Sequence, residues 1–216
     1  MKIVTREHKV PYFSSKILRQ YFGDMKPGIF DIETLGLSPE FAPIILAGFM
    51  TVEEDGSCRI NQYFAETPGD EKYILEYLRA DFERVDYLLT YNGKHFDLPY
   101  VRKRARMQSV PSPDCNIHNL DLYLMINGYS EIRNFLRHLR QKDIEVYMGF
   151  SDGRDDDISG AESVSLYKSY LTCLDAEQKE AIEQRILLHN HDDILQLYRI
   201  FPVLSQLDIH LSLIHI

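Results

Sequence analysis

Tryptophan is absent from the 216 residues, and cysteine nearly so. Cys58, Cys115 and Cys173 stand far apart and form no CxxC pair, which argues against a disulfide framework or a zinc ribbon and fits a reducing cytoplasm. No apolar run approaches the ~20 residues of a membrane helix. The opening MKIVTREHKV also lacks the apolar stretch of a secretory signal, so neither membrane association nor export is expected. Positive charge is scarce too: 24 Lys and Arg against 33 Asp and Glu leave a net charge of -9. That argues against a protein that coats nucleic acid by charge alone. It leaves room for an enzyme that gathers carboxylates around divalent cations, because the cations neutralise them locally. Internal repeats and low-complexity linkers are missing as well, so a single domain over 1–216 is expected, with chain enough for a substantial core.

What is present is a strand-rich first half followed by helices. Residues 1–25 read as a mixed lead-in with a short helical stretch around Ser15–Phe22. GIFDIET (28–34) reads as a strand, and 43–66 as two strands joined by a Glu-Asp-Gly turn. Between 69 and 85, Ile74, Leu75, Leu78 and Phe82 share one side of a helix. DYLLTY (86–91) is a fourth strand, followed by a turn at Asn92-Gly93 and a helix from about Asp97. NIHNLDLYLMI (116–126) is a fifth strand running into a helix. Residues 130–141 are expected to be helical, 152–160 (DGRDDDISG) a mobile acidic loop without EF-hand spacing, and 161–173 and 176–204 two closing helices. The pattern indicates an α/β or α+β layered domain.

Some acids need a reason for their positions. Side chains at i and i+2 of a strand share a face, so Asp31 and Glu33 lie side by side opposite Phe30 and Ile32. Two adjacent carboxylates repel unless a proton or cation lies between them, and hard divalent cations favour such oxygen clusters; an acidic solvent-facing edge would look the same. Asp97, before Leu98-Pro99, is locally a good helix N-cap.

HNHDD (189–193) spells the letters of an HNH nuclease but sits within a helix. At ~100° per residue, Ile182, Ile186, Leu197 and Ile200 fall within about 40° of Asp193, with His189 one turn earlier on the same stripe. A carboxylate on an apolar face is costly unless paired or bound to metal. His191 points the other way and Asp192 lies on a flank, so both are expected to be solvated.

Taken in order, FDIETLGLSP, PIILAGFMTVEEDG, TYNGKHFDLPYVRKR, NLDLYL, ISGAESVSLYKSYL and LLHNHDDILQLYRI resemble the DEDD (DnaQ-like) superfamily of 3′→5′ exonucleases. Within it, the chain is similar to the YprB-like ribonuclease H-like group, over roughly Pro27 to Phe201. The resemblance implies a ribonuclease H-like α/β fold, here with a central mixed five-stranded sheet flanked by helices and a core at roughly 27–205. It implies that Asp31, Glu33, Asp97 and Asp193 hold two divalent cations, Mg²⁺ or Mn²⁺, with Asp31 touching both, Glu33 and Asp193 completing one site and Asp97 serving the other. Thr34, Leu35 and Gly36 would lie against the substrate's 3′ end and Asn92 beside the site. The implied chemistry is two-metal-ion hydrolysis of phosphodiester bonds, with His189 as general base or as a partner that orients Asp193. Two positions depart from the pattern. Leu35 stands where many relatives carry a small polar residue, and His189 occupies the usual tyrosine position, one residue away from where the histidine-type enzymes place their histidine.

Single-stranded nucleic acid is the expected partner, and no protein partner is identifiable. Lys94, Arg102, Lys103, Arg104 and Arg106, with Arg133, Arg137 and Arg140 at helical spacing, offer phosphate contacts or a solvated face. Two rivals stand beside the exonuclease: a non-catalytic ribonuclease H-like nucleic-acid or protein-binding module, and a phosphoesterase acting on short oligonucleotides or nucleotides.

Overall fold

The structure, a computed structural model, describes residues 1–11, 25–113, 117–150, 154 and 158–206. Its centre is a mixed sheet of six strands: Lys2–Lys9 (β1), Pro27–Thr34 (β2), Ile44–Val52 (β3), Ser57–Phe64 (β4), Tyr87–Thr90 (β5) and His118–Asp121 (β6). They lie in the order β1-β4-β3-β2-β5-β6, antiparallel from β1 to β2 and parallel from β2 to β6. The helices are Glu71–Phe82 (α1), Asp97–Met107 (α2), Leu122–Tyr129 (α3), Ile132–Phe135 (α4), Gln141–Tyr147 (α5), Gly160–Thr172 (α6) and Ala176–Ile200 (α7), with a 3₁₀ segment at Phe201–Gln206. No helix among the described residues is long and apolar enough to cross a membrane.

The sixth strand corrects the expected five. β1 falls in the expected lead-in, and its inward residues, Lys2, Val4, Arg6 and His8, are mostly basic and show no apolar alternation. Such inward charge is an edge-strand device that discourages pairing with another chain. The helical stretch expected around Ser15–Phe22 lies outside the described residues.

Two further expectations fail for tertiary reasons. The helix expected over 130–141 is one turn, α4, then extended chain, then α5. The break lets Tyr91 Oη donate to the Leu139 carbonyl at 2.5 Å, while Asp143 accepts from Arg140 N at 3.1 Å to open the new helix. Arg133, Arg137 and Arg140 therefore share no helix face. At the end of the chain, α7 stops at Ile200 instead of running to 204, because Pro202 has no N–H to continue the ladder.

Helices cover both faces of the sheet. On one, α1 buries Ile74, Leu75, Leu78 and Phe82 as their spacing predicts, with the Phe82 ring 5.0 Å from Phe30 and 5.6 Å from Phe49. On the other, α7 lies across β2, β3 and β4 and carries Asn190 and Ile194 over Gly48. A Cβ on Gly48 would stand 2.1 Å from Ile194 Cδ1 and 2.2 Å from Asn190 Oδ1. The absent side chain is what lets the helix approach the sheet.

The expectation for His191 and Asp192 is also corrected: both are buried. The His191 ring lies between Asp192, 3.1 Å from Nδ1, and His8, 2.9 Å from Nε2. The unrecognised strand β1 supplies His8, which is why a helical-wheel argument placed these residues in solvent.

Candidate active site

β2 delivers its two acids as alternation requires, Asp31 paired with Gly48 and Glu33 with Leu46 in the register with β3. The register shifts just after Glu33, and pairing then continues to Leu35, whose N–H donates to the Pro43 carbonyl at 3.0 Å. α7 crosses the same face and brings His189 and Asp193, one turn apart, over this point. His189 Nε2 lies 3.5 Å from both Glu33 Oε1 and Asp193 Oδ2. A ligand atom from each of Glu33, His189 and Asp193 falls within 4.8 Å of the others, a spacing that can hold a metal ion.

Asp97 arrives from the opposite direction. It is the first residue of α2 and not the N-cap, which is Phe96. Its carboxylate reaches across to accept the Ile32 N–H at 3.3 Å, on the strand between the two β2 acids. The turn before it is held by Asp121, which accepts from Asn92 N at 2.8 Å and from Lys94 N at 3.0 Å. Asn92 adopts φ 60°, a left-handed conformation that asparagine tolerates.

Crowding these acids together has an electrostatic cost. Burial, reinforced by Asp97, Asp193 and Glu33, holds the Asp31 carboxyl well above the ordinary range. Burial with Asp193 nearby pushes Glu33 up to about 8, and burial pushes Asp97 up to about 7. Ser163, wholly buried on α6, stands beside Glu33 and offsets part of its rise, though not in full hydrogen-bond geometry. Asn190 does the same for Asp31 by donating Nδ2 to Oδ2 at 2.9 Å. Buried acids that resist ionisation are the donor set a divalent cation relieves.

Asp31, Glu33, His189 and Asp193 line a groove of about 600 Å³, whose walls also include Thr34, Gly36, Leu37, Arg140, Lys142 and Arg154. Leu35 instead packs against the core. Of the basic residues marked in the sequence, Arg140 alone lines the groove; Arg104 is buried against Glu71 and Lys103 pairs with Glu40. The groove's main internal cation, Arg154, comes from the acidic loop 152–160, most of which lies outside the described residues. Its guanidinium donates to Glu145 at 2.8 and 2.6 Å and to Asp193 Oδ1. Burial works against its charge, but pairing with Glu145 and Asp193 outweighs it and raises its pKa. Sequence reasoning missed Arg154, Ser163 and Asp121. Asp121 and Ser163 lie within the segments that carry the resemblance, while Arg154 sits among loop acids with no local signal.

Residues 29–205 match the family model of the RNase_H superfamily. The chain belongs to the RNase H superfamily. Among curated proteins, this superfamily member is 30% identical over 118 residues to a DNA polymerase of Archaeoglobus fulgidus, covering 50% of this chain and 13% of that protein. It is 33% identical over 123 residues to a DNA polymerase of Pyrococcus glycovorans, covering 50% and 16%. The chain thus spans less than a fifth of the length of either relative. Among solved structures, the family B DNA polymerase from the hyperthermophilic archaeon Pyrobaculum calidifontis aligns with a TM-score of 0.60 at 20% identity, over 81% of this chain and 24% of that one. That likeness is one of fold, and it agrees with the ribonuclease H-like α/β architecture.

Proposed function

We propose that this chain is a metal-dependent 3′→5′ exonuclease of the YprB-like, DEDD type, formed by one ribonuclease H-like domain with its core at about 27–205. The observation that carries the reading is the meeting of Glu33, His189 and Asp193, ligand atoms within 4.8 Å, beside Asp31 in the groove, with Asp97 bonded to the strand between Asp31 and Glu33. Membership of a nuclease superfamily and similarity to DNA polymerases support nucleic acid as the substrate class.

Two divalent cations, Mg²⁺ or Mn²⁺, fit this donor set. Asp31, Glu33 and Asp193 would hold one, and Asp31 with Asp97 the other. When bound, the cations supply Lewis acidity to the attacking water and to the scissile phosphate. The remaining steps fall to the chain itself. His189 Nε2 is the proposed proton acceptor: a proton taken there is held between Glu33 and Asp193, each at 3.5 Å. Asn190 fixes the Asp31 carboxylate, and Arg154 fixes that of Asp193. Arg140 and Lys142 offer positive charge to the phosphates of a single strand entering the groove. Thr34 and Gly36 form the wall beside the 3′ end; Leu35 gives backbone only, and Asn92 shapes the turn before Asp97. The free thiols Cys58 and Cys173 suit a cytoplasmic setting.

End-labelled single-stranded DNA and RNA, incubated with Mg²⁺ or Mn²⁺, test the reading against Asp31→Ala. Metal-dependent shortening that the substitution abolishes is expected. Shortening that survives the substitution would overturn the proposed site, and binding without cleavage on every substrate would favour the non-catalytic module.

A further inference from the structure

A buried relay of hydrogen bonds crosses the sheet beneath the carboxylates. It begins on the edge strand β1, where the Arg6 guanidinium donates to Gln62 Oε1 on β4. Gln62 Nε2 then donates to the Leu187 carbonyl at 2.7 Å and to Asn190 Oδ1 at 2.9 Å, both on α7. Asn190 Nδ2 in turn donates to Asp31 Oδ2 at 2.9 Å. Gln62 and Asn190 are both wholly buried, so a misdirected amide has no water to turn to.

The polarity of this relay admits one arrangement. A guanidinium only donates, and a carbonyl only accepts. Arg6 therefore demands the Gln62 oxygen at one end, and the Leu187 carbonyl demands its nitrogen at the other. With that nitrogen aimed at Asn190, the Asn190 oxygen must face it, and the Asn190 N–H is left for Asp31. Flipping either amide would set like atoms against each other at both ends.

We propose that Gln62, backed by Arg6, is a positioning residue that holds Asn190 as a donor to Asp31 and so fixes the rotation of that carboxylate in the groove. Its consequence for metal binding rests on the exonuclease reading; the relay's polarity does not. Neither Arg6 nor Gln62 touches the groove, so their influence on it runs through Asn190.

Gln62→Glu keeps the shape but replaces the nitrogen with an acceptor. Asn190 must then turn its N–H toward the new carboxylate and its oxygen toward Asp31. Calorimetric Mn²⁺ titration is expected to weaken by about 10–100-fold, as when the partner behind a metal ligand is lost, and Arg6→Met to weaken it less in the same direction. A readout independent of metal is the Asn190 side-chain NH₂ resonance. In the wild-type background it should shift on Asp31→Ala; in the Gln62→Glu background that response should vanish. An equal response in both backgrounds, or, where the wild type binds Mn²⁺, an affinity unchanged by Gln62→Glu, overturns the relay. Should Gln62→Glu fail to fold, Arg6→Met carries the test: a reduced Asn190 response supports the relay and an unchanged one overturns it. A wild type that neither binds Mn²⁺ nor cleaves nucleic acid, yet gives the expected resonance pattern, sinks the exonuclease reading alone.

Discussion

Replacing Arg154 with methionine separates two demands on the groove, structural pairing and cation binding. The Arg154 side chain is nine-tenths buried, its guanidinium donating twice to Glu145 and once to Asp193. Glu145 is only 4% exposed, and Gln141 Nε2, at 3.1 Å, is a weaker substitute. Removing one partner of a buried ion pair costs about 3–5 kcal/mol. Gln141 offsets part of this, leaving about 3 kcal/mol, or a fall in Tm of roughly 10 °C for a domain of this size. Asp193 fares differently, because it loses a positive charge that competes with a cation for its carboxylate. Mn²⁺ should therefore bind the variant more tightly and stabilise it more, each tenfold gain in affinity adding about 1.4 kcal/mol at saturation. Scanning calorimetry with chelator and with Mn²⁺ reads both effects. A metal-free Tm within about 3 °C of wild type, or a Mn²⁺-induced rise no greater than the wild type's, would refute the reasoning. Adding Glu145→Leu removes the stranded charge and should recover most of the loss.

His189→Gln should lower the cleavage rate by about 10²–10⁴-fold, the usual worth of a general base, while changing Mn²⁺ affinity little. If Mn²⁺ binding disappears instead, His189 is a metal ligand. Glu33 at about 8 and Asp97 at about 7 lie above ordinary carboxylate values, so between about pH 5 and 8 the metal-free folded state binds protons that the unfolded chain has released. Stability is therefore full below the unfolded carboxylate range of about pH 4 and falls steadily as pH rises from there through 7 to 8; a urea midpoint in chelator that is higher at pH 8.5 than at 5.5 would contradict this. Gly48→Ala places a Cβ at 2.1 Å from Ile194, so it should cost at least the ~1–3 kcal/mol of core overpacking. An unchanged melting temperature would mean that α7 does not pass so close to β3.

Legibility in the sequence followed the range of each interaction. Asp31 with Glu33, and His189 with Asp193, are local pairs set by strand and helix periods, and the structure places each pair together on its element. The meeting of the two pairs is not local; the ordered resemblance suggested it, and the crossing of α7 over Gly48 brings it about. Asp97 read locally as a cap because its actual partner, Ile32 N, is 65 residues away. β1 shows no strand signature because its half-buried face carries Lys2, Arg6 and His8 in place of an apolar stripe. That omission also concealed the burial of His191 and Asp192. Arg154 lies in an acidic loop, where only its contacts with Glu145 and Asp193 distinguish it.

The most direct measurement of the central claim follows a 5′-labelled single strand with a free or blocked 3′ end, with Mn²⁺ present, for wild type and Asp193→Asn. The account predicts a ladder of one-nucleotide steps from the free 3′ end, no ladder from the blocked strand, and none with the variant. Internal cuts in the blocked strand, or an undiminished ladder from Asp193→Asn, would contradict it.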